Sequence, residues 1–256
     1  MLPKSEKLLR QSVVRHLLES DTALEMGWRV QAYRQFEQVL SDKGFPCLFG
    51  RRANKSGSCL LLFIPCENEQ QALRDGMEAY VKFVNDTPLE DRLFNPLIVI
   101  FEKTDFNTLA EEQAYAWATL QHLHDGDRTP WPAKACTDPE VFEWTYHFAG
   151  LPMFINMSFP RHSAMKSRSL GGHIVFVVNP GRTLTRWQAP RRKVVARSGK
   201  RFASESPITT TAWYPTRWVF SATVAAWNGS NTNCMKKAGF HSPVVLCISK
   251  STRLTI

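Results

Sequence analysis

The loop SFPRHSAMKSR, residues 158–168, holds the side chains best suited to binding an anionic group. Arg161, Lys166 and Arg168 could hold a carboxylate, because a guanidinium donates two parallel hydrogen bonds to such a group. His162 follows the end of a predicted strand, where a loop can meet a cofactor or a substrate. The alternative is a solvated basic loop with a solvated histidine.

A second histidine, His124, is placed to face the protein interior. The apolar spacing predicts a helix from Asn107 to His124, on which His124 follows Trp117 by seven residues and Leu120 by four. Residues with these spacings share one face of a helix. The imidazole is therefore a candidate metal ligand, or alternatively a helix-end histidine that bonds to Asp127 or to a carbonyl oxygen.

The cysteines indicate neither a disulfide framework nor a structural zinc site, since the six are spread along the chain without a CxxC pair. Cys47 could be a thiolate ligand, but the apolar segment around it, FPCLF, favours a buried thiol. Arg51 and Arg52, like the basic loop, could hold a carboxylate or belong to a solvated surface. The sequence contains no glycine-rich phosphate loop, HExxH motif or nucleophile elbow.

Strand-length apolar runs that alternate with amphipathic helical segments are expected to position these residues. CLLLFIP (59–65) and PLIVIFEK (96–103) are typical of buried strands, and a helix follows each. This order predicts an α+β fold in a single domain, residues 1–180, with helices layered on a mixed sheet. The other predicted elements are helical sequence at 4–41, with Leu8, Val13, Leu17 and Leu18 on its apolar face, a helix at 67–85, and strands at 142–148, 153–159 and 173–178.

Nearly all of the net positive charge lies after residue 180. Residues 181–256 contain 13 Lys and Arg against one acid, Glu205, whereas residues 1–180 contain 19 against 22. A clustered basic tail is typical of nucleic-acid binding, because Lys and Arg displace counterions from phosphates. Since residues 181–256 have no periodic apolar pattern, we expect an irregular tail.

The abrupt change in composition at residue 180 also fits a translated frameshift. Back-translation in the frame two nucleotides downstream permits NFDAVA at residues 182–188 and EWKQYQLHEEGGF at residues 227–240, with one offset for both. These readings have the acids and the alternation of a folded domain. We therefore favour a non-native, out-of-frame tail, from a sequencing error or a real mutation, over a nucleic-acid-binding tail.

Residues 25–180 resemble the YqcI/YcgG family. The resemblance lies in FPCLFGRRA (45–53), LQHLHDGDRTPWP (120–132), DPEVFEWTYHFAGLPMF (138–154) and NMSFPRHSAMKSRSLG (156–171). It implies a haem b enzyme that uses dioxygen and an electron donor to hydroxylate a guanidino or amino nitrogen of a small amino-acid-like substrate. An inactive family member is the alternative if the tail is out of frame. The absence of an apolar run of about 18 residues and of a signal-peptide core predicts a cytoplasmic protein with no membrane partner.

The resemblance also implies roles for the two histidines. Haem iron takes an axial protein ligand such as an imidazole, and the family pattern LH..D makes His124 the first candidate, with Asp127 orienting its ring. His162 is the rival, as an iron ligand or a residue of the distal pocket. Relatives with N-hydroxylase activity look to carry a histidine immediately before the proline of the SFPRH motif, where this chain has Phe159.

For the basic loop, the resemblance implies contacts with the cofactor or the substrate. Arg161, Lys166 and Arg168 would hold haem propionates or a substrate carboxylate. The sequence assigns no residue a catalytic role, and it names neither the substrate nor the electron donor.

Overall fold

The computed structural model describes residues 8–20, 27–139, 141 and 144–181 of the chain. The basic tail predicted for residues 181–256 lies, after Gly181, outside the described residues. The elements in chain order are β1 (Leu9–Arg10), α1 (Gln11–Leu18), α2 (Trp28–Ser41), α3 (Leu48–Ser56), β2 (Leu60–Ile64), α4 (Glu69–Asp86), β3 (Leu97–Phe101), α5 (Leu109–Asp125), β4 (Tyr146–Phe148), β5 (Leu151–Ser158), a 3-10 turn (Lys166–Arg168) and β6 (Val175–Pro180).

The two fully apolar runs form β2 and β3, the parallel pair of the sheet. Every residue of both strands is buried, and Leu62 pairs with Val99 in their register. Strands covered on both faces have continuous apolar sequence, and α4 supplies the crossover that a parallel pair requires. The strands predicted at 59–65 and 96–103 are therefore confirmed.

The rest of the sheet is antiparallel. The strand order is β1-β2-β3-β6-β5-β4, in which β6 lies antiparallel to both β3 and β5. The predicted strands at 153–159 and 173–178 correspond to β5 and β6, and β4 occupies the end of the segment predicted at 142–148. A mixed six-stranded sheet with helices confirms the predicted α+β class.

Alternating side chains on the strands build two separate cores. One core, which we call the α4/α5 face, joins the sheet to α4 and α5 and includes Leu62, Val99 and Phe176. The other, the α2/α3 face, includes the intervening residues Leu61, Ile98 and Val175 together with Tyr33 and Phe36 of α2. Successive strand residues point to opposite faces, so the position of each later site residue follows from its register.

The two amphipathic helices that follow β2 and β3 are confirmed as α4 and α5. Helix α4 buries Leu73, Met77, Tyr80 and Val84 against the sheet, as its spacing predicted. Gly76 allows this close approach, since a Cβ there would overlap the side chain of Leu62. None of the described helices combines the length and the apolar composition needed to span a membrane.

The amino-terminal prediction needs correction. The sequence predicted helix throughout 4–41, and α1 and α2 confirm it for Gln11–Leu18 and Trp28–Ser41, whereas Leu9–Arg10 is a short strand that pairs with β2. Residues 4–7 and 21–26 of that prediction lie outside the described residues. On the predicted apolar face, Leu8, Leu17 and Leu18 pack against the core, but Val13 is 37% exposed and its neighbour Val14 is fully buried in its place. The antiparallel pairing of Leu9 with Leu61 takes the chain out of the helical pattern. Helix α3 was not predicted from its sequence.

Candidate functional site

Helix α5 separates the predicted site residues into two groups. Its first turns contact the loop after β5, where the backbone N–H of Arg161 donates to Glu112 Oε2 at 3.2 Å. His124 lies 12 residues further along α5, about 18 Å away at 1.5 Å per residue. We call these regions the His162 end, where β2, β3 and β5 finish and β6 begins, and the His124 end, where α5 and β4 finish and β5 begins.

Arg161 fastens the basic loop to the start of α5. Its Nε and Nη2 atoms donate to the carbonyl oxygen of Phe106 at 3.1 and 2.5 Å, and Nε lies 3.7 Å from Glu112 Oε1. Burial raises the pKa of the Glu112 carboxyl, although Arg161 opposes that change. The predicted ligand-binding role of Arg161 remains a prediction; its visible contacts position the loop.

Arg168 differs from the rest of the basic loop because it is buried. The side chain is only 6% exposed, whereas Lys166, in the same 3-10 turn, is exposed. Nη1 donates to Asn156 Oδ1 at 2.5 Å, and the guanidinium makes no other hydrogen bond or ion pair with a described residue. Desolvation lowers the pKa of Arg168. A solvated basic loop therefore describes Lys166 but not Arg168.

The strand beneath Arg168 contributes two polar side chains to the α2/α3 face. Met157 lies in the core of the α4/α5 face, so Asn156 and Ser158 on either side of it point the opposite way. Ser158 is fully buried, and its Oγ atom has no hydrogen-bond partner among the described residues. Most buried hydroxyls are paired, so an unpaired one requires an explanation.

His162 lies in the same loop, and its hydrogen bond shows which ring nitrogen carries the proton. The backbone N–H of Met165 donates to His162 Nδ1 at 3.4 Å, which makes Nδ1 the acceptor and leaves the proton of the neutral ring on Nε2. Burial and the positive charge of Arg168 lower the pKa of His162. A neutral ring whose Nε2–H group has no hydrogen-bond partner among the described residues is suited to donate to a ligand. Phe159, three residues earlier, is buried in the core of the α4/α5 face.

His173 joins the His162 end, and sequence reasoning missed it as a candidate. Its Nδ1 atom donates to the carbonyl oxygen of Phe101 at 2.7 Å, and its ring lies 5.6 Å from that of Trp28 on α2. A carbonyl oxygen accepts only, so the proton of the neutral ring is on Nδ1 and Nε2 keeps its lone pair. The sequence signal is a histidine directly before an apolar strand, after Gly171 and Gly172.

The His124 end is an aromatic cluster around Trp131. The Trp131 ring lies 5.4 Å from the imidazole of His124 and 4.8 Å from that of His147. His147 Nδ1 donates to Thr145 O at 2.7 Å, and burial lowers the pKa of His147. His124 is half-buried, and its imidazole makes no hydrogen bond with the part of the chain that the structure describes.

Asp127 bonds to the backbone rather than to the His124 ring. Its Oδ1 accepts from the Thr129 amide at 2.8 Å and its Oδ2 from the Ala149 amide at 2.7 Å. Ala149 has a φ of 49°, a left-handed conformation that costs energy for alanine and needs such support. Asp127 therefore stabilises the turn between β4 and β5.

The segment FPCLFGRRA begins α3 instead of meeting the basic loop. Cys47 Sγ accepts from the Gly50 amide at 3.3 Å and caps the helix, which is a structural role. The predicted burial is wrong, because Cys47 is only half-buried and its neighbours Leu48 and Phe49 are exposed. The Arg52 guanidinium lies 4.1 Å from the centre of the Phe94 ring. Among the described residues, no three His, Cys, Asp or Glu side chains come together as a metal site.

The fold and these motifs correspond to a known family. The family model described as YqcI/YcgG matches residues 36–201, which is more than half of the chain. The chain therefore belongs to the YqcI/YcgG family. No solved structure matches it.

Three curated relatives give this membership more detail. DcsA of Streptomyces lavendulae, which is named as a candidate N(omega)-hydroxy-L-arginine synthase, is 35% identical over 158 residues. The uncharacterised Bacillus subtilis proteins YqcI and YcgG are 27% and 30% identical over 150 and 152 residues. The matches cover 56 to 60% of this chain and 58 to 60% of the relatives. The chain thus spans about three fifths of the length of each relative.

The family match passes the proposed domain boundary. It continues to residue 201, whereas the composition changes at residue 180. The frameshift and the alternative of a nucleic-acid-binding tail both concern sequence outside the described residues, and both stay predictions. The nucleotide sequence around the codons for residues 179–182 tests the first of them.

Proposed function

We propose that this protein is a haem-dependent oxygenase that hydroxylates a guanidino or amino nitrogen of a small amino-acid-like substrate. The observation that carries the proposal is the 35% identity to DcsA, whose name describes the N-hydroxylation of L-arginine. The YqcI/YcgG motifs include the residues of the His162 end, where the buried guanidinium of Arg168 has no acidic partner among the described residues. These features support a small substrate that carries a carboxylate.

One imidazole at the His162 end has the hydrogen-bonding pattern of an iron ligand. An imidazole that binds iron through Nε2 keeps its proton on Nδ1, which is usually donated to a carbonyl oxygen or a carboxylate. His173 has this arrangement through Phe101, whereas the Nδ1 atom of His162 is an acceptor. We therefore propose His173 as the iron ligand. His124, the candidate from the sequence, is the alternative at the opposite end.

A bound haem would activate dioxygen, and the protein would bind and orient the substrate beside it. In the overall reaction one oxygen atom enters the N–H bond to give N–OH. The other leaves as water, with two electrons and two protons from an external electron donor. Arg168 would hold the substrate carboxylate, and the Nε2–H group of His162 would donate a hydrogen bond to the bound ligand.

The proposal is tested with the full-length chain produced with haem supplementation. We expect a Soret band in the visible spectrum. With L-arginine, a reductant and isotopically labelled dioxygen, we expect a product heavier by one labelled oxygen atom on nitrogen. Related amino acids that carry an amino or guanidino group form the substrate panel. A protein that takes up no haem, or one that takes up haem and oxidises no member of the panel, would contradict the proposal.

A further inference from the structure

We infer that Arg168, held by Asn156, is the anchor for the α-carboxylate of a small amino-acid ligand. This inference rests on the proposed function for the type of ligand, but its geometric basis is independent of the reaction. The side chain of Arg168 is 6% exposed, and of its five N–H groups one donates to Asn156 Oδ1. The other four make no hydrogen bond with any described residue.

A buried cation without an anionic partner is costly to the folded protein. Desolvation of an ionised side chain costs several kcal/mol unless an opposite charge or several hydrogen bonds compensate for it. Neither Asn156 nor Ser158 carries a charge. A ligand carboxylate would supply both the missing charge and two oxygen atoms with the spacing of a guanidinium.

The surroundings of Arg168 on the α2/α3 face are polar and partly exposed. Asn156 lies opposite Val177 in the β5–β6 register, and both are half-exposed. Ser158, two residues from Asn156 on the same face, has a buried hydroxyl with no partner among the described residues. It offers the carboxylate a second donor. Gln35 of α2 accepts from the Gly172 amide at 2.8 Å, which fixes the far end of the loop.

Substrate and cofactor are both possible sources of the carboxylate, because a haem carries propionates. The substrate fits better. Arg168 bonds to a residue inside β5 and is nearly inaccessible, whereas propionates lie on the edge of a haem, where they usually meet solvent. The anchor is therefore expected to act on substrate binding and to leave haem retention unchanged.

The first experiment measures binding by calorimetry to the haem-loaded full-length protein. The probes are three pairs that differ only in the carboxylate: L-arginine and agmatine, L-ornithine and putrescine, L-lysine and cadaverine. We expect at least one amino acid to bind about 10- to 100-fold more tightly than its amine, the size of a charged hydrogen-bonded contact. Arg168→Gln should remove this difference, and Ser158→Ala should reduce it by about 2- to 10-fold.

Lys82→Gln is the matched control, because this exposed residue on α4 also loses one positive charge. It should bind every probe as the wild type does. The inference would be overturned if the wild type binds no amino acid of the panel, or binds both members of every pair equally. It would also be overturned if Arg168→Gln still prefers the probe with the carboxylate. If Arg168→Gln loses the Soret band but binds the amino acids as before, Arg168 holds a haem propionate. That result would also overturn the inference.

A second variant excludes a merely structural role. Arg168→Met removes the uncompensated charge and keeps the side-chain volume, so the ligand-free variant should melt at the same temperature as the wild type or a few degrees higher. A drop of several degrees would show that Arg168 stabilises the fold, against the inference. If the amino acid still binds through Arg168 but no N-hydroxylated product forms, the proposed function fails and the anchor stands.

Discussion

The two ends of the sheet differ in how their polar groups are satisfied. At the His124 end, the Asp127 carboxylate, the Tyr146 hydroxyl and His147 Nδ1 each bond to the backbone. The Trp131 indole N–H, Gln121 Oε1 and Arg74 Nε, whose guanidinium lies beside Gly126, are also buried there without a partner among the described residues. At the His162 end, the buried Ser158 hydroxyl has no described partner, and the Arg168 guanidinium makes one hydrogen bond with the described residues, to Asn156.

This difference indicates that the two ends have different roles. Paired polar groups stabilise a fold, and buried groups left without partners weaken it. Proteins often keep such costs where a ligand removes them. Unpaired buried groups occur at both ends, but the charged groups differ: Asp127 at the His124 end bonds to two backbone amides, whereas the buried Arg168 at the His162 end bonds only to Asn156 among the described residues. The His162 end is therefore the stronger candidate for a binding site. The following variants compare the two ends, from the largest expected effect to the smallest.

The largest effect should come from the two candidate iron ligands. We expect His173→Ala to lower haem affinity by at least about 100-fold, because even the loss of a residue that only orients a ligand lowers metal affinity by 10- to 100-fold. His124→Ala should retain its haem. The measurement is the Soret absorbance per protein after haem titration. Loss of haem in His124→Ala alone would move the site to the His124 end.

Removal of Asp127 should show that the His124 end stabilises the fold. Asp127→Ala loses the hydrogen bonds to the Thr129 and Ala149 amides, and we expect the free energy of unfolding to fall by about 2 kcal/mol. Urea denaturation measures the change. Asp125→Ala is the matched control, since Asp125 is exposed, accepts only from the Gln121 side chain among the described residues, and should change stability by less than about 0.5 kcal/mol.

A pair of hydroxyl deletions compares the ends directly. Tyr146→Phe loses a buried hydrogen bond to the carbonyl oxygen of Leu120 and should cost about 1 kcal/mol. Ser158→Ala removes a buried hydroxyl that has no described partner, so stability should be unchanged or slightly higher. The measurement compares the denaturant midpoints of the two ligand-free variants with that of the wild type. A Ser158→Ala variant destabilised as much as Tyr146→Phe would mean that both ends are structural.

The sequence predicted the sheet and the long helices because their signals are local. Unbroken apolar runs specified β2 and β3, and helical spacing specified α4 and α5. The short strand Leu9–Arg10 depends on pairing with Leu60 and Leu61 about fifty residues away, so no local pattern could reveal it. Helix α3 was missed because its sequence has few apolar residues for a helical pattern to detect.

The candidate site was less predictable because it depends on which residues the sheet brings to one end. The sequence found Arg168 and His162 but could not tell the buried Arg168 from the exposed Lys166 two residues away. The sequence also could not show that His124 and His162 lie at opposite ends of the sheet. Their separation depends on the direction in which α5 runs across the sheet. His173 acquires its candidate role through the Phe101 carbonyl, a contact across the sheet.

The smallest predicted effect is a change in the titration of His162. Because burial and the Arg168 charge both lower its pKa, His162 resists protonation in the folded protein, and unfolding takes up a proton. This histidine therefore makes stability rise with pH up to the ordinary value near 6.5 and fall as the solution becomes more acidic.

In Arg168→Met the charge is absent but the burial remains, so the pKa of His162 should rise part of the way towards that value. The proton NMR signals of the imidazole measure the titration. His147, whose pKa is lowered by burial at the opposite end, is the internal control and should titrate unchanged. If the His162 signal does not move in Arg168→Met, the two side chains are not coupled. If both histidines move, the substitution has altered the whole sheet rather than one of its ends.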